Sequence, residues 1–298
     1  MNDVNKNSVP AAGEFTRRFH RKSSAEQVTD GMDLSGRTIV VTGVNSGLGQ
    51  ESMRVLAMRG AHVIGLARSQ EKATQACAEV AGQVTPIACE LSDFDSVRRA
   101  AQSIRALDQP IDVLMCNAGI MALREHRKRY NLELQFVTNH LGHLLLINEL
   151  LDSLRDTQGR IVITSSAGHT HTPKGGIDFA NLSGDAGYNA WQAYGQSKLA
   201  NILCAKSLAK RLASRGITVN SLHPGVIQTN LARSTGGLMT SVIQLVAPLF
   251  GRTVGQGAAT QVYLAVHPDV AAQSGEYFAD CALAKPSLHA RDDELAER

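Results

Sequence analysis

From Arg37 onward, short runs of β-branched and apolar residues alternate with longer stretches in which apolar residues recur at steps of three and four. The runs are TIVVTG at 38–43, HVIGLA at 62–67, VTPIAC at 84–89, IDVLMC at 111–116, RIVITS at 160–165 and ITVNSL at 217–222. Runs of that length with few polar interruptions suit strands covered on both faces, which a parallel sheet with crossover helices requires. Leu134, Val137, Leu141 and Leu144 mark one helical stripe, and Ile202, Ala205, Ala209 and Leu212 another. A last short edge strand is predicted over 276–279. No linker-like shift in composition and no repeat interrupts the alternation. The pattern predicts an α/β fold: one doubly wound domain over 36–298, with a mainly parallel sheet of about seven strands in the order 3-2-1-4-5-6-7. Residues 1–35 read as an N-terminal tail and short helix: a polar tail to about residue 22 with the basic cluster Arg17, Arg18, Arg21 and Lys22, then a helix opened by a capping box between Ser23 and Glu26.

Directly after the first strand stands TGVNSGLG, Thr42 to Gly49, followed by a helical stretch. Gly43, Gly47 and Gly49 let the backbone turn sharply and approach a ligand closely, while the helix opening behind them offers unpaired N–H groups to a pyrophosphate. Asn45, Ser46 and Leu48 complete the loop. The spacing is GxxxGxG rather than the GxGxxG dinucleotide fingerprint, and tight packing alone is the competing explanation for such a loop. No GK[ST] follows, which speaks against a P-loop nucleotide hydrolase. The second strand ends at Ala67, and Arg68 occupies the place where an acidic residue would accept hydrogen bonds from an adenosine ribose. A guanidinium there prefers a 2′-phosphate, with Lys72 one helical turn further on, so the expected coenzyme is NADP(H) rather than NAD(H).

Tyr194 and Lys198 are four residues apart on a predicted helix and share one face. A phenol becomes a useful proton donor or acceptor near neutrality only if its pKa falls from about 10. An ammonium about 4 Å away could supply on the order of 4 kcal/mol toward that at an effective dielectric of about 20. Ser165 and Ser166 end the strand RIVITSS, and Asn117, Ala118 and Gly119 follow IDVLMC, both at the carboxyl edge where open α/β sheets bind ligands. Asn139 lies in the helical NHLGH.

Taken in order, TGVNSGLG, Cys116-Asn117-Ala118-Gly119, Asn139, Ser166, Tyr194 with Lys198, and His223-Pro224-Gly225 with Thr229 resemble the short-chain dehydrogenase/reductase superfamily over nearly the whole chain. AEQVTDGMDLSGRTIVVTG, VTNHLGHLLL, the insert IDFANLSGDAGYNAWQAY and the ending GEYFADCALAKPSLHARDDELA resemble its retinol-dehydrogenase-like and WW-domain-containing oxidoreductase branch. The resemblance implies a Rossmann fold in which Tyr194 is the general acid or base. Lys198 lowers its pKa and holds the nicotinamide ribose, Ser166 binds the substrate oxygen and Asn139 holds a water in the proton path. It further implies that Gly43, Asn45, Ser46, Gly47, Leu48, Gly49, Arg68 and Asn117 to Gly119 line the coenzyme, with Pro224, Gly225, Ile227 and Thr229 flanking the nicotinamide. Glu90 and Leu91 stand where the family usually places an aspartate near the adenine, which leaves that contact open. The gap from Ser166 to Tyr194 is longer than in compact members.

With 298 residues, 43% of them apolar, the chain can enclose a full core, and 30 basic against 27 acidic side chains give only +3, short of the field that a nucleic-acid binder needs. Five scattered cysteines without a CxxC pair suggest neither a disulfide framework nor a zinc knuckle, and fit a reducing compartment. A soluble cytoplasmic protein without stable membrane insertion is expected. His169-x-His171 and His140 with His143 lack a carboxylate or thiolate set at ligand spacing, so loop and helix-surface histidines are expected rather than a metal site. A substrate loop is expected at about 229–256, where the apolar Leu238–Phe250 stretch could form a lid over an apolar pocket, pack at an interface or brush a membrane. The expected partner is a small carbonyl or alcohol substrate, with a homodimer or homotetramer by analogy. A catalytically silent dinucleotide sensor or scaffold, and an epimerase or dehydratase, stay open as rivals; the complete proton-transfer set argues for turnover.

Overall fold

The computed structural model describes residues 18–227 and 251–298. Eight strands form the main sheet: β1 Thr38–Thr42, β2 His62–Ala67, β3 Val84–Ala88, β4 Val113–Cys116, β5 Arg160–Thr164, β6 Thr218–His223, β7 Tyr277–Ala279 and β8 Ala282–Leu283. Their spatial order is 3-2-1-4-5-6-7-8, and every neighbouring pair is parallel except the closing β7–β8 hairpin. The expected order therefore stands, with one strand more than expected. A turn through Asp280 and Cys281, both at φ +57°, folds β8 back along β7.

The helices are α1 Ala25–Val28, α2 Gly47–Met58, α3 Gln70–Ala78, α4 Phe94–Arg105, α5 from Leu134 to Leu150, α6 Ala190–Leu212, α7 Val254–Val266 and α8 Asp293–Glu297. Alternate strand residues feed two cores, as the twofold period of a strand dictates. Ile39, Val41, Val113, Met115 and Val162 meet α1, α2, α3 and α7 on one face. Val40, Leu114, Cys116, Ile161 and Ile163 meet α4, α5 and α6 on the other. A third, smaller cluster joins α6 to the C-terminal segment through Leu199, Ile202, Leu203, Tyr277, Ala290 and Leu295.

Two local expectations shift. The capping box of α1 lies one residue later than Ser23 and Glu26: the Ser24 hydroxyl accepts from Gln27 N, and the Gln27 side chain accepts from Ser24 N. The α5 stripe also differs. Val137 is buried, but Leu134, Leu141 and Leu144 are half-buried, and beyond the middle of the helix the buried face carries Leu146, Ile147 and Leu150. A π-helical turn, Val137–Leu141, stands between Leu134–Phe136 and Gly142–Leu150 and displaces the face that follows it. One extra residue in a turn rotates everything after it by about 100°. In α6 the expected stripe is buried as drawn.

Just before β4, the Asp112 carboxylate accepts from Thr38 N at 2.8 Å and from Arg155 Nε at 2.8 Å. Asp112→Ala strands a buried backbone donor, so we expect a loss of about 1–3 kcal/mol in urea unfolding. Asp156→Ala, which removes an exposed partner of Arg215, is expected to change stability by no more than about 0.5 kcal/mol. Equal midpoints for the two variants would refute the account.

Candidate active site

The strand order reverses between β1 and β4, and the loops leaving their carboxyl ends form a crevice there. Thr42 organises it. Its hydroxyl accepts from Asn117 N and Ala118 N, both at 2.9 Å, and its carbonyl accepts from Asn117 Nδ2 at 2.8 Å. Gly43 then turns at φ +76°, and Gly49 lies so close that a Cβ there would stand 2.2 Å from Gly43 O and 2.6 Å from Asn117 Nδ2. Ser46 takes the N-cap position of α2 without bonding its side chain to the helix, and no acidic residue occupies the first turn. The first N–H groups of α2 and its positive dipole end stay open to an anion, so the loop fits a pyrophosphate. Asn45 and Ser46 are exposed at the rim, and Leu48 is half-buried against Ile227 across Gly257.

Arg68 follows the last residue of β2, is exposed, and has no hydrogen-bond or ion-pair partner among the described residues. Ser69 caps α3 by accepting from Lys72 N, which brings Lys72 to the next turn. Glu90 is half-buried and occupied by its own turn: its Oε1 accepts from Ser92 N at 3.0 Å and from the Ser92 hydroxyl at 2.9 Å. Leu91 is buried, its carbonyl passing 2.2 Å from where a Cβ on Gly142 would stand.

The four candidate catalytic side chains converge at the carboxyl ends of β4 and β5. α6 is fastened to the end of β5: Lys198 Nζ and Asn201 Nδ2 both donate to Thr164 O, at 3.0 and 3.1 Å, and Ser165 Oγ donates to Lys198 O at 2.7 Å. Asn139, in the π-helical turn, grips the chain after Gly119: its Oδ1 accepts from Ile120 N at 2.8 Å, and its Nδ2 donates to Ile120 O at 2.9 Å and to Ser197 Oγ at 3.0 Å. A Cβ on Gly119 would stand 3.1 Å from Asn139 Oδ1 and 3.4 Å from Lys198 Nζ, so these groups flank one small space. Ser166 caps a 3₁₀ turn, Ala167–Thr170, and its Oγ accepts from Gly168 N at 3.0 Å.

Burial governs the electrostatics. It pulls the Lys198 ammonium down to about 8 and pushes the Tyr194 phenol up, while a hydrogen bond from Ser166 works to bring the phenol down. Lys198 Nζ lies 5.9 Å from the centre of the Tyr194 ring, on its face, so the expected ammonium effect does not overcome desolvation in the protein alone.

Several participants had no motif to announce them. His143 Nδ1 donates to Asn139 O at 3.0 Å, so its Nε2 accepts from the Thr42 hydroxyl at 2.9 Å, and burial lowers its pKa to about 4. His143 thereby joins the coenzyme crevice to Asn139. His169 is also buried, so the expectation of loop and helix-surface histidines fails for both; each pairs both ring nitrogens inside the fold. Gly195 is required by contact, since a Cβ there would stand 2.1 Å from His171 O. A glycine inside a helix costs about 1 kcal/mol and was the one visible signal. Arg252, nearly buried, lies against Gly225, donates to Pro224 O at 3.2 Å and pairs with Asp280, which holds the Pro224–Gly225 segment. Thr229 and Leu238–Phe250 lie outside the described residues. Among those described, no group of histidine, cysteine, aspartate and glutamate is arranged to hold a metal, and no helix is long and apolar enough to cross a membrane.

Residues 37–177 and 177–237 match the short chain dehydrogenase family model. The chain is 42% identical to the short-chain dehydrogenase TIC 32 A, chloroplastic, of Brassica napus, across 93% of this chain and 90% of that protein. It is 37% identical to mouse retinol dehydrogenase 11 (95% and 90%) and 36% identical to the human WW domain-containing oxidoreductase (96% and 72%). Among solved structures, an uncharacterised protein from Mycobacterium paratuberculosis superposes with a TM-score of 0.74 at 33% identity over 91% of this chain and 92% of that one. A metagenomic blue fluorescent protein in complex with NADPH superposes with a TM-score of 0.66 at 25% identity over 83% and 96%.

Thr42→Val deprives two backbone N–H groups and a buried imidazole of their partner. At about 1–3 kcal/mol for each buried group left unpaired, we expect a loss above about 2 kcal/mol in guanidinium unfolding. Thr42→Ser keeps the hydroxyl and is expected to stay within about 1 kcal/mol of the parent; equal losses in both variants would contradict the network.

Proposed function

This chain belongs to the short-chain dehydrogenase family, and on that premise we propose that it interconverts a carbonyl and an alcohol on an apolar small molecule with NADP(H) as coenzyme. Family membership makes it an oxidoreductase. The finer reading rests above all on the convergence of Asn139, Ser166, Tyr194 and Lys198 on one edge of the sheet, beside a glycine loop open to a pyrophosphate.

Gly43, Asn45 to Gly49 and Asn117 to Gly119 would hold the dinucleotide, with Pro224, Gly225, Ile227 and Thr229 about the nicotinamide. Arg68 would take the 2′-phosphate, and Leu91 with Glu90 would border the adenine. When bound, the coenzyme supplies or accepts the hydride. In the reducing direction the Tyr194 hydroxyl gives its proton to the carbonyl oxygen, which becomes the alcohol hydroxyl; in the oxidising direction it takes that proton back. Ser166 Oγ holds the same oxygen, fixing the reacting carbon within reach. Lys198, fastened to Thr164 O, presents its ammonium beside Gly119, where a ribose hydroxyl would lie, and is already drawn toward neutrality by burial. Asn139, with both side-chain ends engaged, keeps Ile120 and Ser197 in place around that lysine; its water-holding role remains part of the proposal.

The NADP(H) preference is supported by the exposed Arg68 guanidinium at the end of β2, which has no partner among the described residues, and by a structural neighbour crystallised with NADPH. Five unpaired thiols support a reducing, cytoplasm-like compartment.

Tyr194→Phe is expected to bind NADPH as the parent does while kcat falls by about 10²–10⁴ across a panel of apolar aldehydes, ketones and alcohols followed by nicotinamide absorbance. A variant with near-parental kcat would remove Tyr194 from the reaction. Arg68→Ala is expected to lower the NADPH to NADH ratio of kcat/KM by about ten- to a hundredfold, the worth of one charge-assisted hydrogen bond; an unchanged ratio would reject the coenzyme assignment.

A further inference from the structure

Two histidines pin the peptide group that joins Ser166 to Ala167. His223 Nδ1 accepts from its N–H, Ala167 N, at 3.1 Å. The carbonyl of the same peptide, Ser166 O, accepts twice from His169: from its backbone N–H at 3.1 Å and from its ring Nδ1–H at 2.7 Å. Because Nδ1 donates to a carbonyl, Nε2 of the neutral ring is an acceptor, and it takes the backbone N–H of Ser287 at 3.0 Å. The ring is 4% exposed and stands edge-on to Tyr277, with centroids 5.3 Å apart. One imidazole thus spans from the candidate substrate-binding serine to the segment that ends the chain.

That segment is held independently of His169. Leu295 and the His289 side chain close over Gly176, where a Cβ would stand 3.0 and 3.1 Å from them, and Leu295 and Ala290 join the cluster around Leu199 and Ile202 of α6. Lys206 Nζ donates to Arg291 O at 2.9 Å, and Lys210 pairs with Asp293 at 2.9 Å. The segment is therefore a fixed abutment packed on the same helix that carries Tyr194 and Lys198. Gly168 is the complement on the inner side: a Cβ there would stand 2.8 Å from Tyr194 Cε1 and 3.4 Å from Ser166 Oγ, so a small shift of the turn alters the spacing of the two hydroxyls.

We propose that His169 is a positioning residue that braces Ser166 against the C-terminal segment through its two ring nitrogens. It sets the Ser166–Tyr194 geometry without touching substrate or coenzyme. The proposal rests on the reading of Ser166 and Tyr194 given above. It extends the machinery of the reaction to residues 284–298, which carry none of the reacting groups.

The test uses the full chain and three substitutions. His169→Asn keeps a side-chain N–H where Nδ1–H stands; His169→Gln keeps an acceptor where Nε2 stands; His169→Ala keeps neither. The expected result is that Asn and Gln, which each lose one of the two links, lower kcat several-fold and Ala lowers it about tenfold or more, with the NADPH dissociation constant close to the parent and every variant fully folded at the assay temperature, although the thermal midpoint falls. Tyr194 titration, followed by ultraviolet difference spectroscopy against Tyr194→Phe, is expected to move upward in all three and furthest in Ala, because a displaced Ser166 no longer bonds the phenol. Parental kcat in all three variants overturns the proposal, and so does parental kcat in Asn alone, since the link to Ser287 would then be idle. So does a loss of kcat that tracks loss of NADPH binding or of folded protein at the assay temperature, which marks a purely structural histidine. If the parent turns over nothing in the carbonyl and alcohol panel, the functional reading fails, and the titration alone decides: a shift in the variants supports the brace, and no shift overturns it.

Discussion

The arrangement depends on one buried junction, the end of β5 against the middle of α6. Thr164 O takes two donors from the helix, Lys198 Nζ and Asn201 Nδ2, and Ser165 Oγ returns a bond to Lys198 O. An ammonium in the interior is costly unless its donors are matched, and here the carbonyl at a strand end matches one of them. The junction fixes the register of α6, and with it the position of Tyr194, one turn before the lysine. Gly195 and Gly168 let the two surfaces meet at backbone distance, which no larger residue would permit.

The coenzyme side is built by similar means around Thr42. A single hydroxyl at the end of β1 holds the loop after β4 by two backbone donors and donates its own hydrogen bond to His143. His143 in turn donates to Asn139 O, and Asn139 reaches Ser197 on α6. The crevice that fits a dinucleotide and the helix that carries the phenol are thus joined through four side chains and no charge. Burial keeps the imidazole neutral, which a ring donating at one nitrogen and accepting at the other requires.

Among the readings drawn from the chain, those resting on local pattern stand closest to the structure. The strand runs, the order of the parallel sheet, the stripe on α6 and the glycine loop all follow from periodicity and from where a backbone must turn. What departs does so where a distant contact intervenes. The stripe on α5 is displaced by a π-helical turn whose extra residue lets the Asn139 side chain face Ile120 and Ser197. The capping serine of α1 moves by one position. His143 and His169 stood in unremarkable contexts along the chain, one in a helix and one after a strand. Asn139 and Ser166 lie within one turn of them, but nothing in the sequence names Thr42 or Ser287 as their other partners.

By itself the sequence determined the fold, the family and the identities of the groups gathered at the sheet edge, because alternation, glycine placement and the Tyr194–Lys198 spacing act over a few residues. Tertiary structure alone decided how those groups are charged and held. Lys198 is drawn to about 8 and Tyr194 is pushed up by desolvation, a property of everything packed around them. Ser166 O is held by His169, whose other ring nitrogen takes Ser287 N, 121 positions beyond Ser166, a separation at which no periodicity operates. Burial and hydrogen-bond matching are settled only when such segments are brought together in three dimensions.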